Sequence, residues 1–455
     1  MKPTFLAAGM ALFLALAGGA VQADAFRPCV DADDAPELNG SLCAVASVPL
    51  DHGGGVEGGA DLFVRKFPAV GLSRGQVWLV AGGPGESGAG FYPFLNTLRQ
   101  AFPEMDLMAP DHRGTGYSSK LCPDQEAVGS EDGIALAAAE WGPCIGALYQ
   151  NIERAHAFTI TNAAHDLSDL IAAHRGRGEV YVYAVSYGTQ MVLRMMQVAA
   201  PRIDGLILDG LVPPETAAQW DLSRRTAVVD RVGRELLTTD QAAAYERLLA
   251  AVPDQPAWLA TVPGGDLKRF MGALLNFPEL RAHVPGIVEE LTHGETTLLR
   301  STALNLETTM GAMSRFPQSP PSLPLVMLIS GSENNERRDL TAETVAEEAA
   351  AALFTSPLPG FLAANPMPLY ERDAAFGESP PSLPRTLVIH GTHDPNTPYE
   401  GVTAHVEMLR QAGDVDLTTV EGGAHLLVFV APYCFIRSTR AFVVAAPIPE
   451  TCSIG

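Results

Sequence analysis

Short apolar runs alternate with stretches of helical spacing along the first half of the chain. Runs rich in β-forming residues fall at 44–50, 61–64, 76–81 (QVWLVA), 105–109, 181–185 and 203–209 (IDGLILD). The first two flank the glycine-rich stretch 53–59 and predict an N-terminal hairpin. The later ones lack polar alternation, which suits strands buried on both faces of a parallel sheet. Helical spacing fills 160–174 and 191–200. Strand, loop, strand, helix, strand, helix, strand is an order that builds a mainly parallel sheet covered by helices.

Past Pro213 and Pro214 the pattern changes. Helical stretches such as 240–251 and 341–354 dominate as far as about residue 380, and strand patterning resumes at 386–390 (TLVIH) and 415–420. The expected division is a signal peptide (1–23), a first sheet segment (24–214), a helical cap insertion (215–380) and a C-terminal sheet segment (381–455). The hexapeptide SPPSLP occurs twice, at 319–324 and 379–384. Each copy leads into an apolar run that reads as a strand with an acid just past it, Glu333 and Asp394. Six shared residues are too few for a true repeat, so chance reuse of a proline-rich lead-in explains them.

Composition narrows the function classes. With 455 residues and 47% hydrophobic content the chain can bury a large core, and its formal charge of −22 disfavours nucleic acid as a partner. That charge serves solubility and would tolerate cationic substrates. Lys2, an apolar run over 5–21 and small residues at Val21-Gln22-Ala23 form a secretory signal, with cleavage expected after Ala23 or Ala25. The mature protein is therefore expected to be secreted or periplasmic, with no membrane attachment after cleavage. All six cysteines lie beyond that point, and an even count in an exported chain predicts disulfides. Their near-neighbour spacing favours Cys29–Cys43, Cys122–Cys144 and Cys434–Cys452 among fifteen pairings. No C-x-x-C or H-E-x-x-H spacing occurs, so neither a metal nor another cofactor is expected.

The chemistry centres on residues 179–190, EVYVYAVSYGTQ, where a strand, a sharp turn and a helix place Ser186 at the apex. Ala184 and Gly188 are small because neighbouring strand and helix crowd such a turn. A serine hydroxyl attacks poorly without a base, and the base needs an orienting acid. Asp394, in GTHDP after the run at 386–390, and His425, in the glycine turn EGGAH, follow the serine in the order acid then histidine. His393 and His112 are rival bases; Asp209 and Glu333 are rival acids. The developing oxyanion needs donors, and the N–H groups of Tyr187 and of Gly83 in Gly82-Gly83-Pro84-Gly85 are the expected pair.

GGPG after a strand, DHRGTGYS, serine in S-Y-G, DPNTP and a late GGAH occur here in one order. Together they resemble the prolyl and tripeptidyl aminopeptidase branch of the α/β-hydrolases over roughly residues 48–425. The resemblance implies a mostly parallel central sheet with helices on both faces and an inserted helical cap. It also implies release of residues or short peptides, often proline-containing, from peptide amino ends. It assigns Ser186, Asp394 and His425 as the triad, and Gly83 and Tyr187 as the oxyanion hole. Such relatives bind the substrate ammonium through cap-side carboxylates, a role that falls here on Glu333 with Glu336 nearby. Two positions depart from the pattern: Ala81 stands where a histidine is usual, and Glu86 where a glycine is common. The expectation is an exported serine hydrolase acting on short peptide substrates. A carboxylesterase on the same residues, or an inactive hydrolase-like binding protein, is the alternative.

Overall fold

The computed structural model describes residues 22–454 except 129, 131–133 and 137. The expected signal peptide thus lies almost wholly outside the described residues. One sheet runs through the molecule: β1 (Gln22–Ala23), β2 (Arg27–Pro28), β3 (Leu42–Pro49), β4 (Gly59–Phe67), β5 (Gly75–Val80), β6 (Met105–Pro110), β7 (Glu179–Val185), β8 (Gly205–Asp209), β9 (Thr386–Gly391), β10 (Val415–Glu421) and β11 (Thr451–Ser453). Their spatial order is β1-β3-β4-β6-β5-β7-β8-β9-β10-β11, with β2 on β3. Strands β3 and β4 form the expected antiparallel hairpin, pairing Leu42 with Lys66 and Pro49 with Gly59. From β6 to β11 every pairing is parallel. Chain order reverses where β5 sits between β6 and β7, and a crevice opens beyond the carboxyl ends of the strands at such a point.

Apolar side chains cover both sheet faces, as the unbroken runs require. One cluster joins Trp78, Val80, Val182 and Leu208 to the helices Ile160–Ala173 and Tyr187–Val198. The other joins Val77, Leu79, Tyr183 and Ile389 to the helix Pro432–Val443. The three disulfides are the near-neighbour pairs, with Cα–Cα distances of 5.0, 5.3 and 5.8 Å. Cys434–Cys452 fastens the helix Pro432–Val443 to the edge strand β11. Among the described residues no helix is long and apolar enough to cross a membrane.

Between β8 and β9 the described elements are all helical. Part of this stretch has a core of its own, in which Val229, Phe270, Leu274 and Phe354 meet. Another part, with Leu325, Leu328, Ile329 and Tyr370, packs into the same cluster as Val80 and Tyr187.

The first SPPSLP copy corrects the sequence reading. The run after it forms the helix Leu323–Glu333, while the run after the second copy forms β9. Ser322 caps the helix by accepting the Leu325 N–H at 3.4 Å, and Pro324 occupies its first turn, where no backbone donor is needed. The helix is buried on most of its circumference, from Leu328 through Glu333 without a break. It therefore lacks the polar stripe that distinguishes a surface helix from a buried strand.

Candidate active site

Ser186 stands between β7 and the helix Tyr187–Val198 with φ 54° and ψ −126°. That is left-handed backbone which a side chain rarely adopts, and such strain persists only where surroundings enforce it. Enforcement is visible on both sides. The Ser186 N–H donates to the Asp209 carbonyl at 3.0 Å. A β-carbon at Gly188 would lie 2.6 Å from the carbonyl oxygens of both Val80 and Ala81, so only glycine lets the helix start this close to β5. Tyr187 begins the helix, where its N–H has no carbonyl four residues earlier to bond.

The Gly82–Gly85 turn lies opposite. Gly83 and Gly85 have φ of 111° and 138°, which explains the glycines. The loop is pinned from two directions. The Gly88 N–H donates to Asp111 Oδ1 at 2.8 Å, and Ser322 N–H donates to the Gly85 carbonyl at 2.9 Å. DHRGTGYS is thus scaffolding: Asp111 also accepts from Tyr117 N–H at 2.8 Å, and Arg113 holds Asp166 through two 2.6 Å contacts.

Asp394 and His425 meet as expected, with His425 Nδ1 2.6 Å from Asp394 Oδ2. Asp394 also accepts the N–H groups of Asn396 and Thr397 at 2.7 and 2.9 Å and the Thr397 hydroxyl at 2.7 Å. Burial would raise its pKa, but the adjoining His425 imidazole and these donors hold it well below the usual carboxylate range. Burial likewise opposes the charged form of His425, yet the Asp394 carboxylate outweighs it and the histidine pKa rises. Ser186 and His425 line one cavity together with Gly83. Among the described residues no hydrogen bond joins the serine hydroxyl to the imidazole. Catalytic contacts of this kind are often long before they tighten in the reacting complex.

The rivals fall elsewhere. His112 is buried, with Nδ1 3.0 Å from the Arg113 carbonyl, and burial brings its pKa down to about 4. His393 lies 3.9 Å from Glu235, away from both clefts at Ser186. Asp209 is buried beneath the site and binds the Tyr183 hydroxyl at 2.8 Å and the N–H groups of Leu427 and Val428 at 3.1 and 3.2 Å. It supports the turn after His425 without bonding the imidazole. Glu333 is buried too and serves a different wall.

Two clefts meet at Ser186. One, of ≈ 650 Å³, is lined by Gly83, Ser186, Tyr187, Glu215, Glu333 and Glu336 among others. Its acids are already matched. Arg194, on the Tyr187–Val198 helix, lies 2.8 Å from Glu215 and 3.2 Å from Glu333, and Tyr370 donates to Glu333 at 2.7 Å. Burial raises the Glu333 pKa and Arg194 pulls it back. Glu336 pairs with Arg372. The other cleft, of ≈ 1140 Å³, adds Glu86 and His425 to a largely apolar lining that includes Phe277, Met310, Met313 and Phe429. Arg225 borders both clefts and is buried, donating to the Asn396 side chain at 2.6 Å, with the Asp394 and Asp221 carboxylates near enough to favour its charge. Burial pushes its pKa down to about 10. Sequence reasoning had no signal for Arg225 or Arg194, because folding alone brings Asn396 to the first across 171 positions and Glu215 and Glu333 to the second across 21 and 139.

Residues 77–237 match the alpha/beta hydrolase fold family, and residues 364–452 match the family described as TAP-like protein. The chain belongs to the α/β-hydrolases, in the TAP-like branch. Ser186 lies in the first matched region, Asp394 and His425 in the second. The protein is similar to serine protease Hip1 of Mycobacterium tuberculosis, 25% identical over 94% of this chain and 89% of that protein, and equally to its Mycobacterium bovis counterpart. Among solved structures, a thermophilic esterase from Thermogutta terrifontis aligns at a TM-score of 0.38 and 16% identity, over 85% of this chain and 94% of that one. This TAP-like chain is accordingly a serine hydrolase of the α/β type.

Proposed function

We propose that the protein is an exported aminopeptidase that releases residues or short peptides through an acyl-enzyme. Ser186 attacks the scissile carbonyl, and His425 takes its proton and returns it to the leaving amine. Asp394 holds the imidazole by its Nδ1 so that Nε2 faces the serine. The N–H groups of Gly83 and Tyr187 receive the developing oxyanion. Water, activated by the same imidazole, then frees the acyl product. The observation that carries this reading is a strained serine sharing its cavity with an imidazole that a buried carboxylate binds at 2.6 Å. The match of residues 364–452 to the TAP-like family supports action on peptides, and three disulfides support export.

The apolar lining by Phe277, Met310 and Phe429 also supports a carboxylesterase, since triad and oxyanion hole serve esters and amides alike. The test is to offer purified protein and Ser186→Ala free-amine peptides, their N-acetylated twins and aryl esters. The aminopeptidase reading expects free-amine peptides to be preferred and activity to vanish in the variant. Equal cleavage of acetylated twins overturns it, and ester turnover without peptide turnover favours the esterase. Activity unaffected by the substitution removes Ser186 from the mechanism, and no turnover of any substrate favours an inactive binding protein.

A further inference from the structure

Glu86 follows the Gly82–Gly85 turn directly, and its side chain opens into the apolar cleft beside Ser186 and His425. It differs from the other carboxylates of the site. Glu215 and Glu333 share Arg194, Glu336 has Arg372 and Asp394 has His425. Among the described residues no arginine or lysine forms an ion pair with the Glu86 carboxylate, whose neighbours are the Gly82 N–H and the His425 imidazole. Its position is close to the chemistry: a β-carbon built on Gly82 would lie 3.1 Å from Ser186 Cβ and 3.2 Å from Glu86 Oε2. The carboxylate and the serine therefore face each other across one glycine. Phe277, Met310, Met313 and Phe429 make the walls largely apolar, and Arg225, which also lines the cleft, donates to Asn396 instead. Desolvation by the surrounding protein raises the Glu86 pKa, and the His425 imidazole and the Gly82 N–H pull it back.

A carboxylate without an ion pair at the edge of a largely apolar cleft fits an ammonium or guanidinium carried on an apolar stem, because the cation meets the acid while its stem covers the apolar walls. We propose that Glu86 is a specificity-determining residue that receives an organic cation of the substrate within the apolar cleft beside Ser186. Two parts of a peptide offer that chemistry, the α-ammonium and a lysine or arginine side chain. The proposal rests on Ser186 being the nucleophile, and it adds a binding residue to the amine-selective reading without requiring it.

The test compares wild type with Glu86→Gln and Glu86→Gly, reading ratios of kcat/KM so that a partly folded preparation does not mimic the result. One arm sets free-amine peptides against N-acetylated twins. The other sets lysine and arginine against norleucine next to the scissile bond, both with free amines. A cation held by Glu86 predicts that one ratio favours the cationic substrate in wild type. That ratio should fall roughly 10- to 100-fold in both variants, the range for losing a hydrogen bond to a charged group. Collapse of the first ratio assigns the α-ammonium, and collapse of the second assigns the side chain. Two ratios unmoved by either variant, or no cation preference in wild type, overturn the proposal. A wild type indifferent to acetylation but selective for lysine would instead overturn the aminopeptidase reading and leave Glu86 in place.

Discussion

Asp209, at the end of β8, accepts the backbone N–H of Leu427 at 3.1 Å across 218 positions of sequence. Its other oxygen takes Val428 N–H and the Tyr183 hydroxyl. The acid thus caps the short helix Leu427–Val430 that begins two residues after His425. Burial raises its pKa to about 6. Asp209→Ala leaves three buried donors unmatched, and its cost should be about 2–4 kcal/mol, read from chemical denaturation. Because the turn carrying the imidazole loosens, kcat should fall more than KM changes.

If His425 is the base proposed above, its raised pKa should set the acid side of the pH profile. A base must be neutral to accept the serine proton, so activity is lost as pH falls through the histidine pKa. With Asp394 charged beside it, that midpoint should lie above the ordinary imidazole value of 6.5. Asp394→Asn removes the stabilising charge and leaves burial to dominate. The acid limb of kcat/KM should then move to lower pH, with kcat down on the order of 10³-fold or more. A limb that stays in place would remove Asp394 from its assigned part.

Gly188→Ala tests the elbow. The added carbon would sit 2.6 Å from two backbone carbonyl oxygens, which cannot rotate away as a side chain could. Separating β5 from the helix should cost about 1–3 kcal/mol. Activity should drop beyond what the unfolded fraction explains, because the Tyr187 N–H moves with the helix. Thermal unfolding and kcat/KM on one preparation separate the two effects.

The Cys434–Cys452 bond closes a loop of 18 residues between the helix Pro432–Val443 and β11. Replacing both cysteines with serine should lower stability by about 3 kcal/mol in the chain-entropy picture. The site draws nothing from β11, so turnover below the new melting temperature should be close to that of wild type. Calorimetry with a matched activity assay checks both.

Local chemistry made several features legible in the residues alone. A strand, a tight turn and a helix around Ser186 need only neighbours in sequence, so small residues at 184 and 188 announce them. The glycines of the Gly82–Gly85 turn and the near-neighbour cysteines are likewise local signals. The fate of the two SPPSLP copies was not legible, because both runs open on a continuous apolar stretch without polar spacing. Burial of most of the helix surface erases the periodicity that tells a helix from a strand.

The order of strands, the elbow, the acid loop at Asp394, the histidine turn at 425 and the disulfide pairing were thus determined along the chain itself. Only the tertiary structure decided which carboxylates near Ser186 are free. Glu333, Glu336 and Glu86 look alike as letters, but Arg194 and Arg372 pair with the first two from other elements while, among the described residues, no arginine or lysine pairs with the third. Charge compensation depends on distance through space, and folding alone sets that distance.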